Sequence, residues 1–466
     1  MLKLKGFLIS CLLLAASINQ VVAQLRLPNF FSNHMVLQRE TAINFWGWGN
    51  AGNQVEITAD WFKDTVRTKV DPNGKWITTL PAGKAGGPHR INIYMAGQKI
   101  TLDDVLLGDV FICSGQSNME WGGNQNLKEI MDELPTANNP NIRLLQVSKV
   151  GAKTPQEQLA NAWSTLSAET LKPFSAIGYF IAKEINKDQQ VPIGVINASW
   201  GGTPAEVWTP EYLILNDPLL LSYAQKQGFA EYRPYENGTL YNSMIAPLKG
   251  YNLTAAYWYQ GESNVGTYPG YDKLMKTMIN SWRSAWNHDF PFYFVQIAPF
   301  AYNNQVPLAA FLREQQVKTA LELPKTGMVV ITDLVDNIKD IHPTLKKEVA
   351  RRLAELTLVD VYKKPIQDYK SPVYKSQQIK GNSIEISFHY LDGQLTAKGD
   401  ITDLQIAGAD QVFHPAKGTI KGNKLIIQSN EVKSPVAARF GFTEIAMPNL
   451  FNSRGLPVSP FRTDNW

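Results

Sequence analysis

Four short stretches of this chain carry residue types that do chemistry: Ser114-Gly-Gln-Ser117-Asn, Asn197-Ala-Ser-Trp-Gly-Gly-Thr-Pro204, Trp258-Tyr-Gln-Gly-Glu-Ser-Asn264 and Asp340-Ile-His342-Pro343. A serine hydroxyl exposed at the end of a strand becomes a nucleophile when a base reaches it, and Ser117 is placed for that role. Gly201 and Gly202 let backbone N–H groups approach a ligand closely. Gln260, Glu262, Ser263 and Asn264 crowd one loop; an amide there could stabilise an oxyanion, and Glu262 could orient a base. Each stretch alone also reads as a turn or a solvated loop, because short motifs recur by chance.

A serine hydrolase needs a histidine whose tautomer a carboxylate sets. The six histidines are His34, His89, His288, His342, His389 and His414. Only His342 follows a candidate strand of the central region and precedes a helix, so it is the candidate base, with Asp340 beside it as the candidate acid. The order Ser, Asp, His is the one used on α/β scaffolds, although no Gly-x-Ser-x-Gly is present. A carboxylate next to the ring favours its charged form, which predicts activity rising with pH through about 6.5–7.5. No His-Glu-x-x-His or Cys/His cluster argues for a metal, and no metal or organic cofactor is expected.

The elements that must position these residues follow from periodicity. Residues 24–103 are short alternating β segments with turns such as Asp71-Pro-Asn-Gly74, the pattern of a small β-sandwich. Residues 104–363 alternate strands and helices, which argues for a parallel sheet wrapped by helices. Strands are predicted at Val105–Cys113, Ile142–Val147, Ile193–Ser199, Ala255–Gln260, Phe292–Gln296 and Gly327–Asp333, with helices near Phe174–Lys187, Tyr271–Trp286, Phe311–Leu323 and Leu345–Val361. All four chemical stretches then fall at strand ends, the edge where open α/β sheets hold ligands. Residues 364–445 read as a second β unit, and 446–466 as a loop-like tail packing on the core.

Composition sets the outer limits. The 466 residues are 44% hydrophobic and 18% charged, as in a globular protein with a large core. Lys3 and Lys5, the apolar run Phe7–Ala16 and Val21-Val-Ala23 describe a secretory signal peptide over residues 1–23, which predicts export to a periplasm or beyond. Its removal lowers the formal charge from +4 to +2, which gives no case for a nucleic-acid partner. No membrane span is expected in the mature chain, and the sequence sets no oligomeric state. Cys113, the one cysteine left, reads as a small buried hydrophobe.

The same stretches, Gly115-Gln-Ser117-Asn-Met119, Gly201-Gly-Thr203, Gln260-Gly-Glu-Ser263 and Asp340-Ile-His342-Pro343, resemble the blocks of the sialate O-acetylesterase family within the SGNH (GDSL-like) hydrolase superfamily. His34-Met-Val-Leu-Gln-Arg39, Leu240-Tyr-Asn-Ser-Met-Ile-Ala-Pro247, Leu312-Arg-Glu314 and Pro460-Phe-Arg-Thr-Asp464 extend the resemblance over nearly the whole mature chain. The resemblance implies a flavodoxin-like three-layer α/β/α core with accessory β domains. It implies Ser117 as nucleophile, His342 as base, and the N–H groups of Ser117 and Gly202 with the block-three amide, here Gln260, as oxyanion donors. Two departures stand out. The superfamily acid lies three residues before the histidine, where this chain has Lys339; and a Gln260-Gly-Glu-Ser263 pattern replaces the usual block-three Asn. Glu262 is therefore a rival acid and Asn264 a rival donor. Arg313 is the candidate partner for a sialate carboxylate. The expected activity is removal of O-acetyl groups from sialic acids. Acetylxylan or another plant polysaccharide is the alternative substrate, and a non-catalytic carbohydrate-binding protein the alternative class.

Overall fold

The computed structural model describes residues 24–466; residues 1–23, where a signal peptide is expected, lie outside the described residues. The first strands are β1 Val36–Gln38, β2 Ile43–Trp48, β3 Gln54–Ala59, β4 Val66–Lys69, β5 Lys75–Leu80 and β6 Gly86–Met95. They pair antiparallel as β2 with β5 and as β3 with β4 and β6. Alternation along β2 buries Ile43 and Phe45 and leaves Asn44 and Trp46 partly exposed, the period-2 pattern of a half-buried strand.

Strand β7, Gln98–Gly115, ties this region to the rest. Its first half pairs antiparallel with β6, and its last residues pair parallel with β10 (Ile193–Ser199) and β11 (Ala255–Tyr259). The boundary expected at 103/104 thus falls inside one strand. The chain bends there instead of stopping: Asp104 takes φ +55°, and Arg143 and His34 hold its carboxylate.

With β8 Ile142–Gln146, β9 Ser164–Thr165, β12 Phe292–Val295 and β13 Thr326–Val329, the main sheet has the order β13-β12-β11-β7-β10-β8-β9. Every pairing from β13 to β8 is parallel, and the short β9 is antiparallel. The sheet is buried on both faces. Val110 and Ile112 of β7 join Leu274, Met278 and Trp282 of helix Tyr271–Trp286. Phe111 and Cys113 join Ile177, Phe180 and Ile181 of helix Ala176–Gln189 and Leu353 of helix Lys346–Asp360. Burial on two faces is why these strands read as continuous apolar runs. Burial also pushes the Cys113 thiol pKa up, in keeping with a packing role.

Beyond residue 372, β14 Val373–Lys380 begins two four-stranded antiparallel sheets with their own apolar cluster around Ile384, Ile406, Leu425 and Phe440. The tail is more ordered than a loop. Leu450–Phe451 pairs with Thr396–Ala397, and Phe461–Arg462 pairs with Ala437–Phe440. It also reaches the central region: Ser459 Oγ accepts from Gln296 Nε2, just past β12, at 2.9 Å, and Arg462 pairs with Glu314 of helix Leu308–Glu322 at 2.9 Å. Among the described residues, no helix is long and apolar enough to cross a membrane.

Candidate active site

The sheet order reverses around β7. The chain passes from β8 to β10 on one side, then crosses to β11 on the other. Such a switch point opens a crevice at the carboxyl ends of the strands. Ser117 sits there, as the first residue of the short helix Ser117–Glu120. Gly115 makes the approach possible: at φ +133°, a Cβ on it would lie 2.2 Å from the Tyr259 carbonyl oxygen. Being first in its helix, the Ser117 N–H has no intrahelical acceptor.

His342 arrives from the loop after β13, at the far edge of the sheet. The loop is fastened to the nucleophile turn, since Asn118 Nδ2 donates to the Ile341 carbonyl at 3.0 Å. His342 Nε2 lies 2.9 Å from Ser117 Oγ. Nδ1 lies 3.3 Å from Asp340 Oδ1, and the same oxygen accepts the His342 backbone N–H at 2.9 Å. These partners assign the proton to Nδ1 and leave Nε2 to accept. The Trp121 indole stacks on the ring at 3.8 Å and 18°. The expected rise in the His342 pKa is corrected: it is lowered, first by burial and then by the nearby Lys346 charge, and the half-exposed Asp340 only partly offsets both.

Behind the serine lies a buried polar chain. Lys346 Nζ donates to Asn118 Oδ1 at 2.6 Å, and Asn118 Nδ2 donates to Glu262 Oε1 at 2.7 Å. Burial pulls the Lys346 pKa down to about 7 and raises that of Glu262. Across the crevice, the Gly201 N–H is held by Glu120, and a Cβ on Gly201 would lie 3.3 Å from Ser117 Cβ. Among the described residues, neither the Ser117 nor the Gly202 N–H is paired with an acceptor.

Four expected site residues are placed elsewhere. Gln260 is fully buried; its amide donates to Thr203 O and Asn264 Oδ1, and its oxygen accepts Tyr271 OH. It has no donor left for an oxyanion. Asn264 is likewise spent, on both carboxylate oxygens of Glu206 and on Thr267. Glu262 bonds Asn118 and not the His342 ring, so of the two rival carboxylates only Asp340 lies beside the ring. Arg313 is fully buried on helix Leu308–Glu322, with its Nη2 on the Thr443 carbonyl; burial pulls its pKa down to about 10. It braces the C-terminal region and does not reach the serine. Trp121, Glu120 and Lys346 escaped the sequence reading. Glu120 and Trp121 stand just after the nucleophile stretch, but nothing in residue type marks a lysine for burial. Among the described residues, no group of three or more His, Cys, Asp and Glu side chains is placed to hold a metal ion.

Comparison with known proteins places the chain in a family. A family model described as carbohydrate esterase, sialic acid-specific acetylesterase matches residues 107–358. The sialate O-acetylesterase of Homo sapiens is 31% identical over 368 residues, which cover 70% of this chain and 69% of that protein. The sialate O-acetylesterase of Mus musculus is 28% identical over 392 residues, covering 70% and 72%. The crystal structure of a carbohydrate acetylesterase from Xanthomonas citri matches with a TM-score of 0.87 at 35% identity, covering 95% of this chain and all of that one. The matched region runs from inside β7 through Ser117 and His342 and takes in over half the chain, which therefore belongs to the sialic acid-specific acetylesterase family of carbohydrate esterases and is a carboxylic-ester hydrolase.

Proposed function

We propose that the protein is an exported serine esterase that removes O-acetyl groups from sialic acids. Its core is read as the three-layer α/β/α form of the SGNH hydrolases, with the antiparallel sheets on either side as accessory β units. The observation that carries the mechanism is the 2.9 Å contact between Ser117 Oγ and His342 Nε2 at the switch point of the sheet. Ser117 Oγ attacks the acetyl carbonyl while His342 takes its proton. The N–H groups of Ser117 and Gly202 hold the oxyanion. The imidazolium then protonates the departing sugar oxygen, leaving acetyl-Ser117. Water, deprotonated by His342, releases acetate and restores the serine. Asp340 accepts from Nδ1 and, with the Trp121 stack, sets the ring.

The family match supports sialic acid as the sugar. A plant polysaccharide such as acetylated xylan keeps the chemistry and is the second reading, because the similar structure from Xanthomonas citri is described only as a carbohydrate acetylesterase. Acetate release from O-acetylated sialic acid and from acetylated xylan, measured side by side on the exported enzyme, separates the two. Faster release from the sialic acid is expected; release from xylan alone would replace the substrate assignment.

A further inference from the structure

We infer that Arg233 is the carboxylate-recognising residue of a sugar-acid subsite beside the Gly201–Gly202 loop. The inference rests on the sialic acid reading given above. The segment 228–236 makes a tight turn, closed by the Arg233 N–H on the Ala230 carbonyl at 3.2 Å. The turn lies directly on the candidate oxyanion loop. A Cβ on Gly202 would lie 2.5 Å from the Tyr232 ring and 3.3 Å from Arg233 Cδ.

The Arg233 guanidinium is partly enclosed and underused. Its Nε and Nη1 are buried and have no hydrogen-bond partner. Only Nη2 donates, to the Gly228 carbonyl at a long 3.4 Å. Glu206 is near enough to feel its charge. However, that carboxylate takes its hydrogen bonds from Asn264 and Gln227, and no ion pair joins it to Arg233 among the described residues. Unpaired buried donors are costly; a carboxylate on the side edge of the guanidinium would accept from the unpaired Nε and from Nη2, the parallel pair, in place of the long Gly228 contact.

The space beside Arg233 suits one sugar unit. A cavity of about 290 Å³ is lined by Arg233, Lys153, Phe229, Tyr235, Glu231 and Glu236. That is near the lower end of the roughly 300–1,000 Å³ usual for small-molecule sites. Phe229 and Tyr235 pack edge to face with centroids 5.5 Å apart, which offers an apolar wall. Arg233 and Lys153 supply the positive charge for an acid group. Glu231 and Glu236 can accept from sugar hydroxyls. A neutral polysaccharide has no group that needs Arg233; a sugar acid has one.

The test uses the whole enzyme and the de-acetylated product. N-Acetylneuraminic acid and its methyl ester are compared as inhibitors of 4-nitrophenyl acetate hydrolysis, in wild type and in Arg233→Gln and Arg233→Lys. The free acid is expected to inhibit wild type with an inhibition constant about 10- to 100-fold below that of the ester, the range of a lost charge-assisted pair. Arg233→Gln should lose this difference, and Arg233→Lys, which keeps the charge without the fork, should retain part of it. A melting curve for each variant shows whether the turn is intact, and the acid-to-ester ratio is read within each variant, so a change in overall turnover does not obscure it. Equal inhibition by acid and ester in wild type, no inhibition by either, or an unchanged ratio in Arg233→Gln would overturn the proposal. Failure of the sialic acid reading is seen separately, as a wild-type enzyme that cleaves 4-nitrophenyl acetate but releases no acetate from O-acetylated sialic acid.

Discussion

At the scale of single residues, the proposed mechanism turns on the state of one ring nitrogen. His342 accepts the serine proton only when Nε2 is unprotonated. Burial and the Lys346 charge both disfavour the imidazolium, so its folded pKa lies below the ordinary 6.5. The kcat/KM profile should therefore rise with pH through an inflection below 6.5 and then level off; an inflection above 6.5 would contradict this. Lys346→Met removes one of the two lowering causes, so its inflection should move upward relative to wild type. In that mechanism Asp340 is expected to orient the ring more weakly than a buried triad acid would, because half of its side chain is exposed and it stands 3.3 Å from Nδ1. Asp340→Asn should cost about 10–100-fold in kcat, the worth of one charge-assisted contact. A buried acid of this kind costs about 10⁴. A loss of that larger size would show that the exposed geometry understates Asp340. At this scale the sequence was legible where chemistry and chain proximity coincide. Ser117, His342 and Asp340, singled out by type and position, lie within reach of one another in the structure. Gln260 and Asn264 were misread because an amide's donors can be spent on neighbours far along the chain, such as Glu206, which no spacing reveals.

At the scale of elements, the strands of the parallel sheet were legible because burial on both faces writes continuous apolar runs, and Ile193–Ser199 and helix Tyr271–Trp286 fall where the pattern places them. The continuous β7 was hidden by Asp104, a polar residue inside the strand that is tolerated because Arg143 binds it. The paired tail was hidden too, since Pro448, Gly455, Pro457 and Pro460 interrupt any strand pattern while its two short strands borrow partners more than 20 residues away. The critical junction is between the end of β7 and β11. Gly115 adopts a conformation almost restricted to glycine, against the Tyr259 carbonyl. Gly115→Ala should destabilise the fold by at least about 1–3 kcal/mol from backbone strain alone and displace Ser117 as well. Denaturant unfolding together with esterase activity checks this; a variant with wild-type midpoint and rate would show that the junction is more pliant than its geometry indicates.

At the scale of the whole molecule, the tail closes the structure. Leu450, Phe451, Val458 and Phe461 are buried in it, and Arg439 binds Asp464 near its end. Each such side chain contributes about 1.5–3 kcal/mol by burial, so together they rival the about 5–15 kcal/mol that holds a typical domain folded. Deleting residues 446–466 should leave no soluble, cooperatively melting enzyme; a deletion protein with a sharp, near-native melting transition would contradict that. The central claim is that this molecule hydrolyses acetyl esters through Ser117. Its most direct test is acetate release from O-acetylated sialic acid by Ser117→Ala, with a melting curve on the same sample. The account predicts an unchanged melting temperature and a rate lower by about 10⁴–10⁶; near-wild-type turnover by the folded variant would contradict it.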